Sequence, residues 1–299
     1  MMLGIANYAM KGPIQALIAV ALFAALSVFL APFGILVGAI IALVTLRVSV
    51  VEGFKTLALG VVSHVALTTL ITGSMASGFI AVIEYMLPVW LMAVVLRQTN
   101  SLAATLQFAM VFVGFIVIGF YLIIDDPAIW WLEQFNLYLA PLLEASQIEY
   151  EPELINAIVN KFTMIVAVFM IVLWFSIVVI ARFWQSELYY PGQFKADFYQ
   201  LALPKATAYV AIGLAIASLV NGSASGLLFD LSAIIVAGLM FQGLAIAHQT
   251  VATNQLHTAW LVGLYILLFL VPEAMLVIAT IGLVDSWVDF RNRWTNEEL

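Results

Sequence analysis

Long apolar stretches, separated by short polar breaks, run through the whole chain. A helix needs about 20 mainly apolar residues to cross a lipid bilayer. Applied along the sequence, that length predicts nine membrane-spanning helices and therefore an all-α fold, a polytopic transmembrane helical bundle. The predicted spans are residues 14–31, 33–50, 54–72, 77–96, 102–124, 158–183, 206–220, 227–248 and 258–284.

The composition favours the same environment. Of the 299 residues, 65% are hydrophobic and 9% are charged, whereas soluble domains average about 45–50% apolar and about 25% charged residues. A soluble globule of this length would not have enough polar residues to cover its surface. The composition therefore excludes a cytosolic enzyme, a nucleic-acid binder and a disordered chain, and it makes the lipid bilayer the first expected partner.

The distribution of charge predicts an orientation. Residues 125–153 carry seven acidic residues, no Lys or Arg, and several aromatic side chains suited to an interfacial helix. Basic residues favour the cytoplasmic side, so we expect a cytoplasmic N-terminus and an outer acidic connection. This orientation places most basic residues inside: Lys11, Arg47, Lys55, Arg97, Arg182, Lys195 and Lys205. No basic cluster in the sequence indicates recognition of nucleic acid or anionic lipid.

The last predicted span is the least regular, because Pro272 and Glu273 interrupt it. Two separate crossings would have about twelve residues each, roughly 18 Å of helix, against a hydrocarbon core of roughly 30 Å. We therefore favour one helix kinked at the proline. One crossing would put Arg291 and Arg293 outside and two would put them inside, so the side of the C-terminus stays open.

Titratable side chains inside the predicted spans are candidates for function, because burying them in lipid is costly. His64 in the third span shares a helix face with Thr68 and Thr72. Glu84 in the fourth span lies at a similar depth if the two helices are antiparallel. These four residues form our hypothetical ligand-binding site. A His64–Glu84 pair would be a proton-linked site or a contact to a polar ligand. The alternative, which we favour, is a hydrogen bond that only joins two helices.

Three more polar residues lie inside predicted spans. Asp230 begins the eighth span, where a carboxylate interacts favourably with the helix dipole. Gln242 shares a face of that helix with Gly238 and Gln249, a pattern typical of close packing with amide hydrogen bonds. Glu273 would meet backbone groups freed by the kink. For each of them we favour a structural role over a functional one.

Small residues at helical spacing predict close contact between helices. Ala21 and Ala25 are four residues apart in the first span, and Gly34 and Gly38 form a GxxxG pattern in the second. We predict that these four residues contact a partner helix. Packing within the chain is the default, and another membrane protein or a second copy of the chain is the alternative.

The sequence has no cysteine and no P-loop, Rossmann glycine pattern or HExxH motif. His248 and His257 flank a short loop, but two histidines without neighbouring acidic residues are a weak metal signal. We expect no metal, no cofactor, no nucleic-acid partner and no enzymatic activity. A membrane enzyme is the third and least favoured hypothesis.

Three segments resemble the YybS-like family of bacterial polytopic membrane proteins, which carry a domain of unknown function. They are residues 190–195 (YPGQFK), 239–248 (LMFQGLAIAH) and 282–291 (GLVDSWVDFR). The resemblance covers nearly the whole chain and implies a location in the bacterial inner (cytoplasmic) membrane. It transfers no catalytic residues, because the family has none assigned.

The N-terminal half also resembles the S components of energy-coupling-factor transporters. The likeness rests on the alanines of the first span, the turn at Pro32 and Gly34, and the junction at residues 53–55. It implies a six-helix core that binds a vitamin or metal ion near the outer face. It also implies docking, through the first-span alanines, on a membrane subunit driven by separate ATPases. The acidic connection and three extra C-terminal helices depart from that pattern.

These observations together predict an organisation and a function. We expect an S-component-like membrane core at residues 1–184, including the acidic connection 125–153. A cytoplasmic connection at 185–205 and C-terminal membrane helices with a tail at 206–299 would follow. The favoured function is a non-enzymatic membrane module that binds a small ligand or supports its uptake. The alternative is an accessory or scaffold subunit of a larger membrane complex.

Overall fold

The computed structural model describes residues 2–222 and 225–290, and its secondary structure there is helical, with no strand. The predicted all-α class is therefore confirmed. In chain order the helices are α1 (Met2–Ala9), α2 (Pro13–Ser27), α3 (Phe33–Arg47), α4 (Val50–Thr72), α5 (Met75–Ala81), α6 (Leu87–Thr99), α7 (Leu102–Ile123), α8 (Pro127–Gln134), α9 (Ala140–Ala145), α10 (Pro152–Val159), α11 (Phe162–Tyr189), α12 (Gln193–Tyr199), α13 (Lys205–Val220), α14 (Leu227–Thr253), α15 (Ala259–Leu270) and α16 (Ala274–Val288).

Five helical stretches are long and apolar enough to cross a membrane: Val50–Thr72, Met75–Thr99, Leu102–Ile123, Phe162–Tyr189 and Leu227–Thr253. The helices α2, α3, α13, α15 and α16 are apolar but shorter. Many large apolar side chains are exposed, including Phe269 at 86% and Leu122 at 82%. An apolar exterior and helices of this length are compatible with an integral membrane protein. The count of nine spans stays a prediction.

Contacts divide the chain into two compact units, Met1–Ala109 with Val172–Leu201 and Met110–Ile171 with Ala202–Leu299. The boundaries of these units fall inside helices, because α7 and α11 each contribute one part to either unit. A sequence reading places boundaries in polar connections and does not detect this. The division that we predicted at residue 184 stays a prediction.

Helix α3 is the centre of the first unit, and each residue from Val37 to Leu46 is buried. A Cβ atom at Gly34 would lie 2.9 Å from the ring of Tyr85, and one at Gly38 would lie 2.9 Å from Ile177 Cγ2. The predicted helix contacts of these two glycines are therefore made within the chain, which was the default expectation.

Local chemistry explains where α4 begins and ends. The Ser49 hydroxyl accepts a hydrogen bond from the Glu52 N–H at 3.0 Å and caps the N-terminus. Gly73 ends the helix with φ of 71°, a left-handed conformation that favours glycine. These two residues fix the register of the helix that carries His64.

Between α5 and α6 the helix widens into a π-helical turn at Val82–Met86. Pro88 has no N–H, so it cannot donate to the carbonyl of Glu84 four residues earlier. The indole N–H of the buried Trp174 donates to that carbonyl instead. A side chain of α11 thereby compensates the proline and stabilises the irregular turn.

Helix α14 is the centre of the second unit, and its residues from Ala237 to Ile246 are buried. It packs against α16 through two glycines. A Cβ at Gly243 would overlap the Ile278 carbonyl oxygen, and one at Gly282 would overlap that of Leu239. The pairing of these positions shows that the two helices are antiparallel and that their backbones touch.

The stretch predicted as one kinked helix at residues 258–284 is two helices instead. Val271 has φ of −128° and ψ of 89°, outside the helical region, as expected for a residue preceding proline. Helix α15 ends at Leu270 and α16 begins at Ala274. Arg291 and Arg293 lie outside the described residues.

The acidic connection is helical over most of its length. Asp126 caps α8 by accepting from the N–H groups of Ala128 and Ile129, and the acidic side chains of residues 125–153 are exposed. The Trp131 indole N–H donates to Thr163 Oγ1 at 3.0 Å. The helical form agrees with the predicted interfacial helix, and its depth in a membrane stays a prediction.

Candidate functional site

The side chains of His64, Ser27 and Tyr85, from three different elements, form a polar cluster in the first unit. His64 Nδ1 lies 3.0 Å from Ser27 Oγ and 3.2 Å from the Ala24 carbonyl oxygen. The Ser27 hydroxyl donates to the same Ala24 carbonyl at 2.8 Å, and the Tyr85 hydroxyl donates to Ser27 Oγ at 3.5 Å. A carbonyl oxygen only accepts, so the contact with Ala24 is a hydrogen bond in the tautomer that carries its proton on Nδ1.

That assignment leaves His64 Nε2 as an acceptor in the neutral ring. No side chain or carbonyl in the described ranges bonds to Nε2. Thr68 lies one turn further along the same face of α4 and is buried, with Oγ1 likewise lacking a partner among the described residues. Thr72 Oγ1 donates to the Thr68 carbonyl at 2.8 Å and belongs to the helix end.

Glu84 does not join this cluster. Its side chain is exposed, and no hydrogen bond or ion pair within the described residues links it to His64. The described residues therefore do not form the His64–Glu84 pair that we predicted. The π-helical turn presents the next residue, Tyr85, to Ser27, so only the backbone carbonyl of Glu84 has a structural role.

A second polar site in the first unit is a cavity of about 490 Å³ at the ends of α3, α6 and α11. Sequence reasoning missed it, because its arginines come from three distant positions. We call it the arginine cavity. It is lined by Leu46, Arg47, Arg97, Asn100, Arg182, Gln185, Tyr190 and Gln193.

Arg97 closes the C-terminal end of α3. Its guanidinium donates to the carbonyl oxygens of Thr45 and Leu46 at 2.8 Å each and to that of Val48 at 3.1 Å. A cation is favourable there, because the last carbonyls of a helix have no helical donors and carry partial negative charge. Arg97 is therefore a structural cap as well as a wall of the cavity.

Arg182 makes an ion pair with Asp197 in α12, in which two of its N–H groups donate to one carboxylate oxygen. Arg182 Nη2 and Nε lie 2.6 Å and 2.9 Å from Asp197 Oδ2. Its Nη1 donates to Gln185 Oε1 at 2.6 Å, and Gln185 Nε2 donates to the Leu46 carbonyl at 3.3 Å. Asp197 therefore balances one of the three cavity arginines.

Arg47 is exposed and more loosely held. Its guanidinium lies 4.1 Å from the centroid of the Tyr189 ring, and Nη1 donates to the Tyr190 hydroxyl at 3.1 Å. Ser186 fixes the loop that carries Tyr190 by donating to the Tyr190 carbonyl and accepting from the Phe194 N–H, each at 2.9 Å. The YPGQFK segment consists of this loop and the first residues of α12.

The second unit has a buried polar cluster around Gln242. Gln242 Nε2 donates to Asp285 Oδ2 and Gln242 Oε1 accepts from the Leu203 N–H, both at 2.9 Å. Asp285 Oδ1 accepts from the Phe290 N–H at 3.1 Å. The amide of Gln242 thus bonds across a close pair of helices, which is the structural role that we predicted for it. Its partner Asp285 was not among the predicted residues.

The remaining candidates have simpler surroundings. Asp230 is 1% exposed and accepts a hydrogen bond from the Tyr121 hydroxyl at 2.8 Å, so it is a buried partner of α7 as well as a residue of the first turn. Glu273 is exposed, and its side chain caps no backbone group of α16, contrary to expectation. His248 Nε2 lies 2.8 Å from the Tyr265 hydroxyl, and His257 Nδ1 accepts from the Ala259 N–H.

Two further features lie at the surface of the protein, a pair of alanines and an open apolar cavity. Ala21 and Ala25 are partly exposed, whereas their neighbours Ala19 and Ala24 are buried inside the first unit. Helices α14, α15 and α16 also enclose an open cavity of about 800 Å³ with mainly apolar walls, where Thr250 and His257 are among the few polar side chains. Such walls suit hydrocarbon rather than a polar ligand.

The fold and these clusters define an all-helical, strongly apolar protein with isolated polar sites. Within the described residues, no three His, Cys, Asp or Glu side chains are placed to hold a metal ion. No protein-family profile, curated protein or solved structure matches the chain.

Proposed function

We propose that the chain is a non-enzymatic integral membrane protein, an S-component-like module that binds a small ligand or supports its uptake. The observation that carries the proposal is Thr68 Oγ1 on α4, which is buried and has no hydrogen-bond partner among the described residues. One turn away, Nε2 of the buried residue His64 has no hydrogen bond there either. Buried polar groups are nearly always bonded. Because Thr68 Oγ1 departs from this rule within the described residues, we place the ligand beside it and His64.

The proposal includes a location and a family. The protein spans the bacterial inner membrane about nine times with a cytoplasmic N-terminus, and it belongs to the YybS-like family. The basic residues of the predicted inner loops support the orientation, because Arg47, Arg97 and Arg182 line one cavity. Gln242 and Asp285, which lie in two of the family-like segments, bond to each other and support the significance of those segments.

The chemistry at His64 defines the kind of ligand. His64 Nε2 accepts a hydrogen bond, and Thr68 Oγ1 both donates and accepts. The ligand is therefore a small molecule with an N–H or O–H group beside a second polar atom. No cofactor and no catalytic residue are part of the proposal.

Thr68→Val tests this proposal, because valine has nearly the same shape and lacks the hydroxyl. We expect the unfolding midpoint of the ligand-free protein to stay equal or rise, since a buried hydroxyl without a partner costs about 1–3 kcal/mol. We expect retention of the bound small molecule, measured by mass spectrometry of the released extract, to fall at least ten-fold.

Thr105→Val is the matched control. Thr105 is also buried on a helix of the first unit, but its Oγ1 donates to the Ser101 carbonyl at 2.9 Å. This control should keep the ligand. Equal retention in the wild type and in Thr68→Val, or no bound molecule in any sample, would reject the proposed site.

A second candidate function is an accessory subunit of a larger membrane complex. Ala21 and Ala25 favour it, because they are small residues on a side of α2 that the chain itself leaves partly exposed. Replacing both with leucine should release a stoichiometric partner or a second copy during gentle extraction. Ala66→Leu, an exposed alanine on α4, is the control. A wild-type protein that is a lone monomer would contradict this candidate.

A further inference from the structure

We propose that the arginine cavity of the first unit is a binding site for a phosphate group, carried either by a lipid headgroup or by a free phosphate compound. The inference does not depend on a ligand at His64, since the two sites share no residue. It rests on three guanidinium groups that converge on one cavity with unused hydrogen-bond donors.

Each of the three arginines has N–H donors that the protein leaves unused within the described residues. A guanidinium has five N–H groups. Arg97 uses three of them on carbonyl oxygens, and Arg182 uses three on Asp197 and Gln185. Arg47 uses one, on Tyr190. Two donors on Arg97, two on Arg182 and four on Arg47 remain for a bound group, as far as the described residues go.

The charge around the cavity favours an anion. The three arginines contribute three positive charges, and Asp197, which binds Arg182 and also accepts from Gln193 Nε2 at 2.7 Å, contributes one negative charge. The bond from Gln193 uses the second oxygen of Asp197, so this carboxylate has little capacity left for Arg47 or Arg97. The lining therefore has an excess of two positive charges, which an anion would balance.

Helix capping alone does not explain the cluster. It accounts for Arg97, whose three bonds are all to the end of α3. Within the described part of the chain, Arg47 makes no hydrogen bond to the backbone, and it is held at the cavity by the Tyr189 ring and the Tyr190 hydroxyl. An aromatic ring orients a guanidinium without using its hydrogen-bond donors. Most donors of Arg47 therefore remain available for a bound group.

The shape of the donor set favours phosphate. The planar fork of arginine matches two oxygens of a phosphate group, and several arginines together surround its oxygens. A volume of about 490 Å³ holds a phosphate with a substituent such as glycerol. Basic pockets between the helices of membrane proteins bind phospholipid headgroups on the cytoplasmic side, which is where the basic-residue pattern places these arginines.

The test uses the full chain in a maltoside detergent that contains no phosphate. In one arm, native mass spectrometry compares retention of phosphatidic acid with retention of diacylglycerol, which has the same tails and no phosphate. In the other arm, equilibrium dialysis measures binding of radiolabelled inorganic phosphate. Retention of phosphatidic acid but not diacylglycerol identifies a lipid as the source. Binding of inorganic phosphate identifies a free phosphate compound.

Arg47→Gln is the decisive variant, because Arg47 is exposed and has one hydrogen bond to lose. We expect it to weaken binding about ten-fold or more, the usual effect of losing a charge-assisted hydrogen bond. Arg47→Lys should recover part of the loss, since it restores the charge without the fork. Lys55→Gln is the matched control, because it removes another exposed positive charge, one that pairs with Glu52 and does not line the cavity.

Two results would overturn the proposal. One is the absence of phosphate-dependent binding in both arms with the wild-type protein, which requires no variant to fold. The other is an equal loss in Arg47→Gln and Lys55→Gln, which would show a general effect of surface charge. Circular dichroism of each variant checks that the helices are intact.

Discussion

The Gln242 cluster of the second unit and the two polar sites of the first unit differ in how much of their hydrogen-bonding capacity the protein itself uses. In the second unit, the amide of Gln242 uses both of its atoms inside the protein, on Asp285 and on the Leu203 N–H. In the first unit, His64, Thr68 and Arg47 keep acceptors or donors that the described chain does not use. The Gln242 cluster also lies beside the tightest backbone contact of its unit, at Gly243.

This difference distinguishes polar groups that stabilise the fold from polar groups that bind another molecule, whatever the residue type. A polar group whose bonding capacity is used within the protein stabilises the fold, and removing it lowers stability. A polar group with unused capacity contributes little to stability, and removing it lowers binding. The predictions below test that separation, beginning with the largest expected effect.

Gly243→Ala should have the largest effect on stability. Its new Cβ would overlap the backbone of Ile278 in α16, which has no flexible side-chain end to move aside. We expect a loss of about 3 kcal/mol, at the upper end of ordinary overpacking effects, measured by unfolding in detergent with increasing dodecyl sulfate.

Gly263→Ala is the control for that substitution. Gly263 lies in α15 with no atom within 4 Å of a new Cβ, so alanine should be neutral or stabilise by about 0.5–1 kcal/mol through its higher helix propensity. Equal effects at the two glycines would show that α14 and α16 are not in backbone contact.

Gln242→Leu should destabilise by about 1–2 kcal/mol, because the buried Leu203 N–H and Asp285 both lose a partner. Gln249→Leu on the same helix is the comparison. Gln249 Oε1 is buried with no partner among the described residues, so this change should be neutral or stabilising. A larger loss at Gln249 than at Gln242 would contradict the separation that we draw between used and unused groups.

The smallest expected effects concern two arginines of the same cavity. Arg97→Gln should cost about 1 kcal/mol, because three carbonyls at the end of α3 lose their donor. Arg47→Gln should stay within about 0.5 kcal/mol of the wild type, as for an exposed residue with few contacts. The same unfolding titration measures both, and a greater loss for Arg47 would assign it a structural role.

Much of the fold follows from the sequence for a simple reason. Apolar stretches and their breaks are local properties, so α4, α7, α11 and α14 coincide with predicted spans, although α11 and α14 end later than predicted, at Tyr189 and Thr253. The packing of Gly34 and Gly38 within the chain, and of Gln242 across a helix pair, also follows from spacing along a helix. These predictions need only the helical repeat.

The sites were harder to predict, because they depend on backbone irregularity and on distant residues. At one π-helical turn, Tyr85 contacts the Ser27 and His64 cluster where we had predicted Glu84 beside His64, and sequence spacing does not reveal such a turn. The arginine cavity joins residues 47, 97 and 182, none of which lies in a basic run. A search for basic residues at neighbouring helix ends on one predicted side of the membrane would have found it.

The central claim is that unused polar groups of the first unit belong to bound molecules. A native mass spectrum of the full chain, extracted gently from its own membrane, tests this most directly. We predict the protein mass with discrete non-covalent additions, one lost in Thr68→Val and a phosphate-bearing one lost in Arg47→Gln. The bare protein mass alone, or the same additions in the wild type and both variants, would contradict the account.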